Sequence, residues 1–222
     1  MNNAFDIEQG SELWSAARCG IITASRCGDV ADRTQKGEET AARRNYRTEL
    51  VCEILTGTTV EKYVTREMQW GIDQEPFARA AYELHCNVMV EQCGFVFHPE
   101  VPRFGASPDG FIGDEGILQI KCPTTANHLE WMLSGGIPLK HLPQIIAELA
   151  CTRRTWCDFV SFDPRLPEHL QLYIRRFYSD EDLITACETE ILQLNSEIDE
   201  VLASLPKQRQ LAPVVSIDTT IQ

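Results

Sequence analysis

The order of hydrophobic and polar residues along the chain predicts helices first, and then strands and helices in alternation. Apolar residues recur three or four positions apart where a helix buries one face, whereas short alternating or apolar runs bounded by turns are typical of strands. By this criterion we predict helices at 43–56, 66–85, 124–136, 141–152 and 180–204, and two short helices joined by a loop within 5–30. Strands are predicted at 88–98, 117–121, 156–163 and 170–177, the last two as an antiparallel pair.

Apolar residues also indicate which face of each long helix packs against the rest of the protein. The expected contact residues are Tyr46, Leu50, Ile54 and Leu55 in the first helix, Trp70, Phe77, Ala81 and Leu84 in the second, and Leu183, Ile184, Ile191, Leu194, Ile198 and Leu202 in the last. The sequence contains neither an internal repeat nor a linker between two domains. We therefore predict one α+β domain, a central mixed β-sheet flanked by helices, over residues 1–205, followed by a frayed tail at 206–222.

Composition limits the class of protein without defining a function. The 222 residues are 43% hydrophobic and 24% charged, as in a globular domain, and no apolar stretch has the length of a membrane span. Residues 1–6 lack the pattern of a secretion signal, so we expect a soluble cytoplasmic protein. The nine cysteines include no Cys-x2-Cys pair, which argues against a zinc ribbon and favours core residues, Cys52 among them, in a reducing compartment. The net charge of −13 argues against indiscriminate coating of nucleic acid.

The most informative segment runs from 107 to 123. Asp109 precedes a glycine turn, and the predicted strand 117–121 places Gln119 and Lys121 on one face, two positions apart. If Asp109 ends the neighbouring strand of a hairpin, the three side chains converge. An aspartate, a second acid and a lysine at one sheet edge are the components of a divalent-metal nuclease site, but here the second position is a glutamine. Spacing alone also fits an ordinary surface hairpin with an Asp-Gly turn.

The residue types define the chemistry that such a site supports. Mg²⁺ binds oxygen ligands and retains several waters, so the candidate ligands are Asp109, the Gln119 amide oxygen and the Ile120 carbonyl. Glu75 adds an acidic group if its predicted helix packs against the hairpin. Lys121 would orient or deprotonate the attacking water, or stabilise the phosphate as a point charge. A glutamine brings no negative charge, so we expect weaker cation binding than with a second acid.

Six ordered motifs resemble the phage lambda exonuclease-like (YqaJ-type) viral recombinase nucleases, within the PD-(D/E)xK superfamily. The motifs are Trp14 with the segment 18–25, Trp70-Gly71-x-x-x-Glu75, Ser107-Pro108-Asp109-Gly110, the segment 118–123, Gln144, and Phe162-Asp163-Pro164-Arg165. They follow the family's order over about residues 10–200. The resemblance implies a restriction-endonuclease-like fold and a 5′→3′ exonuclease that uses Mg²⁺, or Mn²⁺, to digest double-stranded DNA.

The resemblance also implies partners and an origin. The family enzyme digests one strand, leaves a 3′ single-stranded tail and works with a single-strand annealing protein in recombination. It is a ring-shaped homotrimer that threads its substrate. A homotrimer of bacterial, phage or prophage origin, acting on DNA ends with a 5′-phosphate and without a membrane partner, is therefore the expectation.

Matched position by position, the resemblance assigns roles to individual residues. It gives the catalytic group as Asp109, Gln119, Lys121 and Glu75. It gives the pocket for a terminal 5′-phosphate as Arg18, Ser25 and Ser107, with Gln144 in the helix that follows. An arginine fork and hydroxyl groups suit a doubly charged phosphate. In the same interpretation, basic residues line the DNA path and make cleavage salt-sensitive: Arg33, Arg43, Arg44 and Arg47.

Two positions depart from the family. Gln119 stands where the family has a glutamate, and Ile146 stands where the family's helix has a second glutamine. Gln119 is either a change that disables cleavage, which its retained surroundings favour, or a natural variant whose cation binding is compensated.

Two other functions stay open from the sequence. Gln119 favours a module that binds DNA ends without cutting them, and the acidic charge favours a protein that docks a partner such as an annealing protein. Without the resemblance, the simpler interpretations are a surface cation for Arg18, a helix cap for Ser25 and a solvated helical residue for Glu75.

Overall fold

The structure is a computed structural model that describes residues 9–60 and 64–206. The described residues form seven α-helices and eight strands. The helices are α1 (Glu12–Ala17), α2 (Cys27–Ala31), α3 (Ala41–Thr56), α4 (Arg66–Cys86), α5 (Thr125–Ser134), α6 (Leu142–Thr152) and α7 (Glu181–Ser204). The strands are β1 (Ile22–Thr23), β2 (Val90–Glu91), β3 (Val96–Phe97), β4 (Phe104–Ala106), β5 (Gly110–Ile112), β6 (Gly116–Lys121), β7 (Trp156–Phe162) and β8 (Leu172–Tyr178).

The strands form two sheets with helices packed around them. The smaller sheet has the order β1-β4-β3, and the larger has the order β2-β5-β6-β7-β8. In the larger sheet β6 and β7 run parallel, while the other neighbours are antiparallel. Helices α5 and α6 supply the long crossover that a parallel pair requires. This arrangement confirms the predicted α+β fold with a mixed sheet flanked by helices.

Strand β6 is buried on both faces because helices cover each side of the sheet. Leu118 and Ile120 pack with α4 in one apolar cluster. Ile117 packs in the other cluster, together with α6 and α7. Because side chains alternate across a strand, Gln119 and Lys121 share the Ile117 face and point toward α6. The alternation predicted for this strand is therefore confirmed.

The five long helices have the boundaries that the sequence predicted, within two residues at each end. Four of them begin after a residue whose side chain accepts a hydrogen bond from the first turn: Thr40, Thr65, Thr124 and Asp180. Helices α3 and α5 end at Gly57 and Gly135, with φ of 67° and 74°. Only glycine adopts this left-handed backbone without steric cost, so these two residues mark the helix ends.

The strand predicted at 88–98 is wrong as a single element. The segment divides into β2, which pairs with β5, and β3, which pairs with β4 in the other sheet. Residues 92–95, which include Gly94, carry the chain from one sheet to the other. Apolar alternation predicts extended backbone but not the partner of each half, so it missed this division.

The face predicted for α4 is wrong in part, although Ala81 packs against the apolar cluster as expected. Phe77 and Leu84 are 64% and 86% exposed, and the helix packs through Ala78 and Tyr82 instead. The Tyr82 hydroxyl donates a hydrogen bond of 2.7 Å to the buried carboxylate of Asp158. A buried polar contact therefore fixes the packed face, and apolar periodicity does not report such contacts.

Three residues that the sequence places in the core are exposed in the structure. Cys52 and Leu55 are exposed on α3, whose inner face instead includes Arg43 and Glu53. Leu183 is 42% exposed at the start of α7. These three core predictions are wrong.

The N-terminal prediction is correct in order but not in detail. Between α1 and α2 the chain forms β1, which runs parallel to β4. Thr23 precedes the turn that leads into α2, but its side chain makes no capping hydrogen bond and lies 3.3 Å from the Ser25 hydroxyl instead. Residues 5–8 of the predicted first helix and 207–222 of the predicted tail lie outside the described residues. Within the ranges 9–60 and 64–206, no helix is long and apolar enough to cross a membrane.

An ion-pair network joins α3 to α7. Glu197 accepts hydrogen bonds from Arg43 at 2.6 and 2.8 Å and from Arg47 at 2.5 Å. The Arg43 side chain is 2% exposed, so water screens this pair only weakly. Burial opposes the ionisation of Glu197, but the hydrogen bonds and charges of the two arginines prevail and lower its pKa to about 2.

We expect Glu197→Gln to lower the free energy of unfolding by about 2 kcal/mol at neutral pH. Because the folded-state pKa lies below the ordinary value of 4.5, the stabilisation is complete above that pH and is lost as the pH falls toward 2. Urea unfolding from pH 7 down to pH 2 measures this difference, with the exposed Glu200→Gln on the same helix as the control. A loss that is independent of pH would contradict the ion-pair explanation.

Candidate active site

The hairpin of β5 and β6 forms the centre of the site. The Asp109 amide donates to the Leu118 carbonyl at 3.0 Å, which fixes Asp109 beside β6. Its Oδ2 atom accepts hydrogen bonds from the Ile120 amide at 2.5 Å and from Gln119 Nε2 at 2.8 Å. The amide and carbonyl of one strand residue point to the same side, so the Ile120 carbonyl faces the Asp109 side as well. The predicted convergence on the hairpin is therefore present.

A continuous hydrogen-bond chain runs from Lys121 to Asp109 through two amide side chains. Lys121 Nζ donates to Gln144 Oε1 at 3.3 Å, and Gln144 Nε2 donates to Gln119 Oε1 at 2.8 Å. Gln119 Nε2 then donates to Asp109 at 2.8 Å. A lysine ammonium only donates and a carboxylate only accepts, so the two ends fix the direction of both amides. Gln119 consequently turns its NH2 group, rather than its oxygen, toward Asp109.

Glu148 is also bonded to this series of hydrogen bonds, through Gln144. The sequence did not identify Glu148 as a site residue. Gln144 Nε2 donates to Glu148 Oε1 at 2.8 Å. Glu148 is 0% exposed, and its Oε2 atom has no hydrogen-bond partner among the described residues. Burial, and then the charge of Asp109, raise the pKa of Glu148 well above its ordinary value. The one feature of the sequence that indicates a role for Glu148 is its position four residues after Gln144, on the same face of α6.

Glu75 lies beside the hairpin because α4 packs against β6, as its predicted role required. It accepts a hydrogen bond of 2.5 Å from Arg79, a neighbour that the sequence analysis did not identify. Burial, and then the charge of Asp109, raise the pKa of Glu75. Burial also raises the pKa of Asp109, although Lys121 opposes this change. Two buried carboxyl groups, one of which opposes the ionisation of the other, form a site in which a cation would be stabilised.

The oxygen donors of the site fit one hard divalent cation, but the neutral Gln119 lowers the affinity expected for it. The carboxylates of Asp109 and Glu75 and the Ile120 carbonyl are oxygen donors of the kind that Mg²⁺ prefers. Gln119 adds an oxygen only if its amide turns over. Among the side chains that the structure describes, no three of the types His, Cys, Asp and Glu cluster closely enough to hold a metal by themselves. This agrees with a site that has a neutral residue at position 119.

A cavity of about 180 Å³ next to the hairpin contains the predicted phosphate-binding residues. Its walls include Arg18, Ser25, Ser107, Gln144 and Glu148. The Arg18 guanidinium stacks on the Trp14 ring at 3.8 Å and has no hydrogen-bond acceptor among the described residues. Trp14 Nε1 in turn donates to the Ser107 hydroxyl at 2.9 Å. A cation held in place by an aromatic ring, with unused donors beside two hydroxyl groups, is preorganised for an anion.

Gln9 is a further residue that sequence reasoning missed. Its Nε2 atom donates to the Pro108 carbonyl at 2.9 Å and to the Cys93 carbonyl at 3.0 Å. These bonds join the N-terminal segment to the residue that precedes Asp109. Gln9 also lines the cavity, so the wall that carries Arg18 is attached directly to the hairpin.

The arginines predicted along the DNA path have other contacts. Arg33 donates to Glu190 at 2.6 Å, and Arg43 and Arg47 pair with Glu197. These contacts lead to α7 rather than to the hairpin. Arg44 is exposed on α3. The DNA-binding role of Arg33 and Arg44 therefore stays a prediction.

Comparisons with known proteins agree with this geometry. The model of the YqaJ-like viral recombinase domain matches residues 13–155. The alkaline exonuclease LHK-Exo from Laribacter hongkongensis, solved also in complex with dAMP, is 40% identical with a TM-score of 0.81, over 87% of this chain and 95% of that chain. A phage-related exonuclease from Haemophilus somnus 129PT is 12% identical with a TM-score of 0.63, over 82% and 95% of the two chains, and supports the fold alone. No curated protein matches the sequence.

The fold, the hairpin and these likenesses together define a nuclease of the kind that acts on DNA. More particularly, the chain belongs to the YqaJ-like viral recombinase family. The family that its motifs indicated is thereby confirmed.

Proposed function

We propose that this protein is a Mg²⁺- or Mn²⁺-dependent 5′→3′ exonuclease that engages 5′-phosphorylated ends of double-stranded DNA, and that Gln119 slows its cleavage step. The observation that carries the proposal is that the Arg18 cavity and the Asp109 hairpin share a wall. Gln144 lines the cavity and also bonds to Gln119 and Lys121. One end of a DNA strand can therefore contact both halves of the site.

Each residue has a physically defined task in this proposal. Arg18, with its unused guanidinium donors, binds the doubly charged terminal phosphate, assisted by the hydroxyl groups of Ser25 and Ser107. Lys121 orients or deprotonates the attacking water, or stabilises the phosphate. Asp109, Glu75 and the Ile120 carbonyl would hold the cation. A divalent cation bound there would supply Lewis-acid chemistry, polarising the phosphodiester and activating a water.

Membership of a viral recombinase family supports finer proposals about products and partners. Digestion of one strand from its 5′ end leaves a 3′ single-stranded tail, which is the substrate of a single-strand annealing protein. We propose such a protein as the partner in recombination and a homotrimer as the assembled form. The chain's net charge of −13 implies that binding of DNA depends on local basic residues and falls with added salt.

A second candidate function is the binding of DNA ends without hydrolysis. One specific observation favours it: Gln119 donates its NH2 group to Asp109 at 2.8 Å and so satisfies the carboxylate without a cation. In that case the Arg18 cavity retains its preference for a terminal phosphate while cleavage is absent. The partner-docking alternative has no comparable structural support.

Digestion of end-labelled linear duplexes with 5′-phosphate or 5′-hydroxyl ends, in Mg²⁺ or Mn²⁺, tests the proposal. We expect the unmodified chain to release 5′-terminal nucleotides slowly, the Gln119→Glu chain to release them rapidly, and both to prefer the phosphorylated end. Asp109→Asn in the Gln119→Glu background is the inactive control. Selective binding of phosphorylated ends with no release by either chain would favour the second candidate, and release from the 3′ end would refute the proposed polarity.

A further inference from the structure

The orientation of one amide group decides what Gln119 presents to a cation. In the described arrangement its NH2 group lies 2.8 Å from Asp109 Oδ2 and its oxygen lies 2.8 Å from Gln144 Nε2. An N–H group directed at the position of a cation repels it. Turning the amide over would present the oxygen instead, with little change in shape because the two ends of the group are nearly the same size.

Turning over Gln119 alone creates a new conflict. Its NH2 group would then face the NH2 group of Gln144 across the 2.8 Å contact. Gln144 must therefore turn as well, which would direct its oxygen at Glu148 Oε1, now 2.8 Å from its nitrogen, and its NH2 group at Lys121. The 2.8 Å contact therefore couples the orientations of the two amides.

Lys121 and Glu148, the two residues that a reversed Gln144 amide would oppose, differ in how easily their side chains can move away. Lys121 is half-buried at the end of β6, and its flexible side chain can leave its 3.3 Å contact. Glu148 is 0% exposed on α6, so its carboxyl group cannot turn out into solvent as the Lys121 side chain can. Its Oε1 atom accepts from Gln144, and in the ionised carboxylate an oxygen in place of that donor would leave two acceptors in contact. Glu148 is therefore the neighbour that holds the pair of amides in place.

We propose that Glu148 is a positioning residue that locks Gln144, and through it Gln119, in the orientation that opposes cation binding. The inference rests on the proposed function because it assumes a divalent cation at Asp109. It goes beyond that function by naming a residue, remote from the cation ligands, that sets the cation affinity of this chain. The lock applies only to a glutamine at position 119, because both oxygens of a carboxylate accept hydrogen bonds and need no reversal.

A double-mutant cycle measured by calorimetric Mn²⁺ titration tests the lock. A glutamine at position 148 can either accept from Gln144 or donate to it, so Glu148→Gln removes the block without changing the side-chain size. We expect Glu148→Gln to raise Mn²⁺ affinity about fivefold to tenfold in the unmodified chain, the equivalent of about one hydrogen bond. In the Gln119→Glu background the same change should give no increase. If Glu148→Gln acted only by removing a negative charge, the Mn²⁺ affinity would fall in both backgrounds, and that result would overturn the proposal.

A second variant and a spectroscopic measurement keep the test independent of folding defects. Gln144→Met removes the locking donor and should also raise the Mn²⁺ affinity of the unmodified chain, while thermal unfolding reports whether each variant is folded. The side-chain amide signals of ¹⁵N-labelled Gln119 should shift when the diamagnetic Mg²⁺ is added to Glu148→Gln. If Gln119→Glu binds Mn²⁺ but neither variant raises the affinity of the unmodified chain, the lock is refuted and the proposed function stands. If no chain binds Mn²⁺, both are refuted.

Discussion

Replacing Gln119 by glutamate is expected to raise the rate of DNA cleavage at limiting Mg²⁺ by about 100-fold, because a second carboxylate completes the cation site. Gln119 is 1% exposed and its backbone is fixed by pairing opposite Phe159. The substitution therefore adds charge in a defined position rather than altering the fold. Gln144 Nε2, now 2.8 Å from the Gln119 oxygen, can donate to the new carboxylate as well.

The rate is measured by release of nucleotides from a 5′-phosphorylated duplex over a range of Mg²⁺ concentrations. Ala186→Glu, which adds a negative charge at an exposed position of α7, serves as the control and should leave the rate unchanged. Equal rates for the unmodified and Gln119→Glu chains at every Mg²⁺ concentration would show that the charge at this position does not limit cleavage.

Replacing Arg18 by methionine is expected to abolish the preference for 5′-phosphorylated over 5′-hydroxyl ends. The guanidinium has no acceptor among the described residues, so its donors are available to a phosphate. A charged hydrogen bond of this kind contributes about 1.5–3 kcal/mol, and we therefore expect a loss of about 10-fold to 100-fold in affinity for the phosphorylated end alone. Methionine retains contact with Trp14, which limits damage to the packing.

Competition between duplexes that differ only in the terminal phosphate measures this preference directly. Arg18→Lys should retain part of it, because lysine keeps the charge but lacks the planar fork. Arg175→Met is the matched control, since Arg175 also stacks on an aromatic ring, at 4.5 Å from Tyr173, but lies on β8. An Arg18→Met chain that still prefers the phosphorylated end would exclude Arg18 as the phosphate ligand.

The fold was predictable wherever burial is apolar and periodic. The run from Ile117 to Lys121 predicted a strand, and the structure confirms it as β6, although its burial on both faces was not predicted. The apolar pattern failed on α4, where the hydrogen bond between Tyr82 and Asp158 decides the packed face. Such contacts join residues far apart in sequence, so no local pattern predicts them.

The site was predictable from its motifs rather than from spacing. Asp109 and Lys121 lie on the hairpin as expected, and Arg18 lines the neighbouring cavity. The role of Glu148 and the direction of the Gln119 amide were not predictable, because both depend on which donors and acceptors meet in three dimensions. A glutamine in the sequence indicates a neutral residue, but not which end of its amide faces the site.

We propose that this chain has a nuclease site that is complete except for one negative charge at Gln119. Calorimetric titration of Mn²⁺ into the unmodified and Gln119→Glu chains, side by side at one pH, tests it most directly. We predict weak binding to the unmodified chain and affinity about 100-fold higher for Gln119→Glu, with one cation per chain in the tighter complex. Equal affinities for the two chains, or no binding by either, would contradict the claim.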